Sequence, residues 1–259
     1  IAKDISEGLA RNALSANFNG SIIELTTKIS KSGRLNFYTW NDVEGKAAFW
    51  HSSAHILAQT ILNLYPSVKL TIGPSIENGF YYDFDLGDIT ISENDFVKIE
   101  KKFMFFASQK NEFKLRSISK SDAKKYYKKE KNPYKIELIE DLEDGSITFC
   151  DHSDFSDLCK GGHIPHTGLV KAIKLTNIAG AYWRGDQKNK QLTRIYGISF
   201  PKQKLLNEHL SLIEEANKRD HRKIGKELNL FTFSNRVGLG LPLWLPKGTD
   251  LKNRLENFL

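Results

Sequence analysis

His51-Ser-Ser-Ala-His55 and Cys159-Lys-Gly-Gly-His163 each place two side chains that bind metals or move protons four positions apart. Together they offer three imidazoles and one thiol. Residues at i and i+4 of a helix project from the same face, so His51 and His55 can point at one object. The stretch Ala47 to Leu64, with Ala54, Leu57, Ile61 and Leu64 as an apolar stripe, predicts that helix. Gly161-Gly162 inside the second motif suits a tight loop. Four such groups could hold a zinc ion in a tetrahedral shell, or could surround a water and a polar substrate. A helix-face histidine pair and a small buried cysteine are the plainer alternatives.

Turn chemistry and periodicity outline the elements that must position these groups. Residues 1 to about 40 read as a short helix, Ile5 to Ala16, followed by a hairpin. Asn19-Gly20 and Ser32-Gly33 are its turn signals, flanking Ile22-Ile23-Glu24-Leu25. The histidine helix ends at Pro66, and a Gly-rich strand and turn spans Leu70 to Asp85. Phe96, Ile99, Phe103 and Phe106 mark a helix over Asp95 to Ser108, with an aromatic stripe suited to a core. Strands are expected over Tyr134 to Leu138, Ser146 to Cys150, Ala172 to Asn177 and Arg194 to Phe200. Helices and strands alternate without Val/Ile-rich buried runs, which predicts an α+β fold of antiparallel sheets packed on helices. One long polar helix is expected from Lys202 to about Leu228, in the manner of a linker, with Leu206, Leu210 and Ile213 as its buried stripe. Gly238 to Pro246 and the helix begun by Gly248 to Leu259 open a further unit.

The bulk properties narrow the class. A chain of 259 residues can build one large or two modest cores. Its 40% hydrophobic and 27% charged residues are those of an ordinary globular protein. No apolar run approaches the roughly 20 residues that span a bilayer, and nothing at the start reads as a signal peptide. The chain begins at Ile1 rather than Met, as a piece of a longer protein would. Two cysteines, Cys150 and Cys159, argue against a disulfide framework and for a reducing cytoplasm. The net charge of +7 is concentrated: Lys101 to Lys135 holds 12 basic and 3 acidic residues. Such a run is either a solvated helix face or a footprint for a nucleic-acid backbone, with Tyr126, Tyr127 and Tyr134 placed to stack on bases. His221, in the basic Lys218-to-Lys223 segment, could also contact RNA.

Five motifs carry a family resemblance: the histidine pair, Ile72-Gly-Pro-x-Ile-x-Asn-Gly-Phe-Tyr-Tyr-Asp83, the cysteine–histidine pair, Ala179-Gly-Ala-Tyr-Trp-Arg-Gly-Asp186, and Arg219-Asp-His-Arg-Lys-Ile-Gly225. Over nearly its whole length the chain resembles the bacterial threonyl-tRNA synthetases. The resemblance implies four parts. Residues 1–41 would end a β-grasp (TGS) domain, 42–201 would form the editing domain, 202–227 a linker helix, and 228–259 the start of the class II aminoacylation domain. Trp244-Leu-Pro-Lys-Gly248 through Phe258 is similar to the opening of motif 1 of that class. Most of the aminoacylation domain, with its ATP site and a second zinc, is expected outside these residues, so ligase activity is not expected from this piece.

The implied chemistry is hydrolysis of serine wrongly esterified to tRNA(Thr). Serine is threonine less a methyl group, and one methyl or methylene in a pocket discriminates by only about 1–3 kcal/mol. A second pocket must therefore remove the smaller amino acid and exclude the larger. By the resemblance, His51, His55, Lys135, Cys159 and His163 are the catalytic set, while Tyr82 and Asp157 bind substrate. Asp157 would hold the α-ammonium, the histidine pair or Lys135 would activate water, and Lys135 or a nearby N–H would stabilise the oxyanion. No cofactor is required for editing, although zinc at His51, His55, Cys159 and His163 stays open. The expected partners are the acceptor end of tRNA(Thr) and the mischarged serine, with no membrane. The full-length protein would be a homodimer and this piece a monomer. An alanyl-type trans-editing hydrolase and a zinc-stabilised RNA-binding module without catalysis are the rival readings. Lys160-Gly-Gly replaces the family's Arg-Gly-Pro, and residues 232–241 match it only loosely.

Overall fold

Short apolar runs broken by turns such as Asn19-Gly20 and Asn78-Gly79 build hairpins, and every ladder among the described residues is antiparallel. The computed structural model describes residues 1–238 and 240–258. Leu239 and Leu259, part of the expected opening of the aminoacylation domain, lie outside the described residues. The chain divides into two compact units, Ile1–Leu206 and Asn207–Leu259.

The first unit opens with α1 (Ala2–Ile5) and α2 (Glu7–Asn12), then β1 (Ser15–Phe18), β2 (Ser21–Ile23) and β3 (Leu35–Tyr38) in the order β2-β1-β3. The helix expected over Ile5 to Ala16 is thus cut short. Ser6 is extended and caps α2, its hydroxyl accepting from Leu9 N at 3.0 Å. Beyond Ala13 the backbone turns to strand, Ser15 pairing with Tyr38 and Phe18 with Ser21.

Helix α3 (Val43–Leu64) carries the histidine pair. It is buried on nearly every side rather than along one stripe, as a helix in the middle of a core must be. Its polar residues are accommodated locally: Ser52, Ser53 and Thr60 hydroxyls donate to the carbonyls four residues back, at 2.7 to 2.9 Å. Strands β4 (Lys69–Leu70), β5 (Ser75–Ile76) and β6 (Gly79–Asp85) follow, then α4 (Phe96–Ser108), whose Phe96, Ile99, Phe103 and Phe106 are buried in the main core as the stripe predicts. Next come β7 (Lys114–Ser117), α5 (Lys120–Lys129), α6 (Pro133–Glu140), β8 (Thr148–His152) and β9 (Phe155–Leu158). The long strands β10 (Ala172–Tyr182) and β11 (Gln191–Phe200) complete the largest sheet, in the order β10-β11-β6-β4 with β5 on β6. A separate sheet runs β7-β8-β9.

Two further expectations are corrected. Tyr134 to Leu138 lies in α6, not in a strand. Pro133 occupies the first turn, and the Asn132 side chain caps the helix by accepting from Lys135 N at 3.2 Å. The long polar helix is two: α7 (Gln203–Lys218) and α8 (His221–Glu227). Asp220 leaves helical geometry between them and caps α8, accepting from Arg222 N at 2.7 Å. In the second unit, β12 (Phe231–Phe233) pairs with β13 (Pro242–Trp244), and α9 (Pro246–Phe258) follows.

Candidate active site

Four elements of the first unit converge on one cavity of about 860 Å³. Helix α3 supplies His51 and His55, α6 supplies Lys135, and the β9 end supplies Asp157 and Cys159, while Tyr82 enters from β6. Each is aimed by a local device. Asn132 caps α6 and also donates from its amide to Leu70 O at 2.8 Å, tying the helix to β4. Cys150 lies opposite Asp157 in the β8–β9 ladder, and two residues on Cys159 N donates to Thr148 O at 3.0 Å, so the ladder carries the thiol to the cavity. A side chain at Gly73 would collide with the Tyr82 ring, so the cavity wall there requires glycine. Ile164 N donates to Ser52 Oγ at 2.9 Å and fastens the Cys159–His163 loop to α3.

The quartet predicted from sequence is brought together. His51 Nε2 is 3.0 Å from Cys159 Sγ, and His163 Nε2 is 3.4 Å from the same sulfur. The rings of His51, His55 and His163 lie 4.8 to 4.9 Å apart, centre to centre. His163 is fully buried and sits behind Cys159 rather than on the cavity wall. Burial by itself pushes the Cys159 thiol up, but His55 beside it and hydrogen bonds with His163 and His51 hold it well below the usual thiol range. Burial would also lower His163, yet Cys150, Cys159 and Glu24 raise it well above an ordinary histidine. For His55 burial wins and its value is lowered.

Beside the quartet stands a second cluster around Asp157, 2% exposed. Lys135 Nζ lies 2.5 Å from Asp157 Oδ1, and both side chains are 3% exposed. Tyr82 donates to Oδ2 at 2.8 Å, and Tyr127 donates to Oδ1 at 3.1 Å. Burial, and then Asp157, push both phenols well above their usual range, so they remain donors. His55 Nδ1 is 3.7 Å from Asp157 Oδ2 and has no hydrogen-bond partner among the described residues.

The four quartet atoms lie within 4.8 Å of one another. A three-nitrogen, one-sulfur set is one that zinc takes, and buried His55 Nδ1 has no hydrogen-bond partner among the described residues. The residues therefore fit a zinc ion.

Several groups escape motif reading. Glu24, 3.2 Å from His163 Nδ1, comes from 139 residues away with no motif around it. Tyr127 is expected among the base-stacking aromatics, but it and Tyr134 are buried and bound to Asp157 and Asp85. The alternation of Lys124, Lys125, Lys128 and Lys129 with Ala123 and Tyr127 is the available signal: α5 exposes lysines on one face and buries the tyrosine on the other.

Residues 147–196, which hold Asp157, Cys159 and His163, match the family described as the threonyl and alanyl tRNA synthetase second additional domain. The chain is accordingly a relative of the aminoacyl-tRNA synthetases that carry this domain. It is 61% identical over its whole length to a threonine–tRNA ligase of Flavobacterium psychrophilum, 61% to that of Flavobacterium johnsoniae and 58% to that of Cytophaga hutchinsonii, covering 40% of each. Within that class the chain is thus a relative of the threonyl-tRNA synthetases, and it spans about 40% of the length of these curated relatives. No helix among the described residues is long and apolar enough to cross a membrane.

Proposed function

We propose that the cavity is a proofreading site that hydrolyses serine from mischarged tRNA(Thr). The observation that carries this reading is that His51, His55 and Cys159 of the quartet line one cavity together with Lys135, Asp157 and Tyr82. A seryl ester needs an anionic anchor for its α-ammonium, a proton acceptor for water, and a cation or N–H donor for the oxyanion. Asp157 supplies the anchor through Oδ2, which accepts from Tyr82 at 2.8 Å. Lys135, held by Asp157 and 3.4 Å from the Tyr82 hydroxyl, supplies the cation. The His51/His55 pair, both lining the cavity, takes the water proton. The water oxygen bonds to the ester carbon, the C–O bond to the ribose breaks, and the proton passes to the leaving ribose oxygen. In this reading the exposed lysines of α5 face the tRNA backbone.

The four quartet residues would also be the ones to hold zinc. Zinc there would supply a Lewis acid and a bound hydroxide, or would hold the fold of a non-catalytic RNA-binding module. The alanyl-type reading is disfavoured by the similarity to threonine–tRNA ligases over the whole of this chain.

The test is release of serine against threonine from the corresponding tRNA(Thr) esters, with and without a chelator. Rapid serine release with threonine retained in chelator supports the reading, and His51→Ala should then lower the rate by about 100-fold or more. Release restored only by added zinc moves the quartet to a metal role. No release in either condition, with melting that drops on chelation, favours the zinc-held RNA-binding module.

A further inference from the structure

One carboxylate reaches the quartet from outside the cavity. Glu24 follows β2, its side chain is 13% exposed, and Oε1 lies 3.2 Å from His163 Nδ1. An ionised carboxylate can only accept, so the proton in this bond belongs to Nδ1. Cys150 Sγ, 3.6 Å away, is the other neighbour of that nitrogen. Were Cys150 donating to a bare Nδ1, the ring's lone pair would face the carboxylate oxygen, an arrangement without a hydrogen bond on that side. With the proton on Nδ1 and accepted by Glu24, Nε2 is aimed at Cys159 Sγ, 3.4 Å away.

The surroundings fit this contact. Gly161 has φ +96°, and a Cβ there would lie 3.1 Å from Glu24 Oε1. Gly162 has φ +86°, which proline cannot adopt, and its Cβ would lie 3.9 Å from Ile22. The glycine pair therefore lets the loop close on the end of β2. Phe113 stacks on the His163 ring, 5.3 Å between centres at 10°, and fixes the ring plane. Stacking does not distinguish the two nitrogens. Glu24 does.

We propose that Glu24 is a positioning residue for the quartet: by accepting the Nδ1 proton of His163 it fixes which ring nitrogen meets Cys159. The N-terminal three-stranded sheet thereby contributes to the site through one side chain. Loss of such a partner behind a functional histidine typically costs about 10–100-fold in activity or metal affinity. The contact stands on geometry alone; its catalytic consequence rests on the proofreading reading.

The experiment uses the whole chain with 15N-labelled histidine and follows the ring protons of His163 by NMR. A solvent-protected Nδ1–H resonance is expected in the parent chain and in Glu24→Gln, whose amide oxygen accepts the same bond. It should be lost or exchange-broadened in Glu24→Ala. In the seryl-ester assay, Glu24→Ala should lower kcat by about 10–100-fold with KM unchanged, and Glu24→Gln should recover most of the rate. An Nδ1 without a proton in the parent chain overturns the proposal, and that spectrum needs no variant to fold. An unchanged Nδ1–H resonance in a folded Glu24→Ala overturns it equally. A protected Nδ1–H lost in Glu24→Ala, in a chain that hydrolyses neither ester, supports the role of Glu24 and counts against the proofreading reading instead.

Discussion

Asp157 is the residue on which most of the site depends. Its two oxygens meet an ammonium, two phenols and the Leu158 N–H at 2.8 Å, all inside the protein. A buried pair of this kind adds little net stability, but breaking it strands a charge. Asp157→Asn is expected to destabilise by about 3–5 kcal/mol, read as a lower urea midpoint with unchanged slope. The double change Lys135→Met, Asp157→Leu should regain most of that stability while hydrolysis stays lost, and a double variant no more stable than Asp157→Asn would refute this account. Legibility at this scale was uneven for a definite reason. His51 with His55, and Cys159 with His163, were readable because four-residue spacing is local geometry. Lys135, Asp157 and Tyr82 were readable only through family resemblance, and Glu24 through neither, because its partner is 139 residues distant.

At the scale of elements, the cap of α6 decides where Lys135 points. Asn132→Ala removes both the acceptor for Lys135 N and the donor to Leu70 O. The expected cost is about 1–3 kcal/mol in urea unfolding, with a larger proportional loss of seryl hydrolysis because the lysine is no longer held. Full activity at reduced stability would show that Asp157 alone suffices to place it. The signals for this helix, Asn132 as cap and Pro133 in the first turn, were present in the sequence, but the segment is only 8 residues long. Over so short a run, apolar alternation reads as strand just as well. The same limit explains the start of the chain, where local pattern extends a helix into β1: its pairing with β2 and β3 stabilises an extended backbone that local propensity does not specify. The longer elements α3 and α4 were legible because several turns of periodicity leave no alternative.

For the molecule as a whole, acid stability should report one group outside the site's chemistry. His152 is 1% exposed, packs on Phe113 and Phe155, and neither ring nitrogen has a hydrogen-bond partner among the described residues. Burial, then the nearby His55 and His163, lower its pKa from 6.5 to about 3. The unfolded chain therefore takes up a proton below 6.5 that the folded chain refuses, so stability falls as pH drops from 6.5 towards 3. By about pH 5 this one residue should cost about 1–2 kcal/mol. His152→Phe should lose that much less stability between neutral pH and about pH 5 than the parent chain does, and an identical loss in both would show that His152 is not buried neutral. The sequence by itself determined the antiparallel α+β character, the helices α3 and α4, the His51/His55 and Cys159/His163 pairs and the concentration of charge, since each depends on composition or on neighbours within a few turns. Only the tertiary structure decided that His163 stands behind Cys159, that Tyr127 turns inward to Asp157, and that Glu24 closes the far side of the quartet. The last two contacts join residues 30 and 139 positions apart, and they form only when packing of the whole core has brought their elements together.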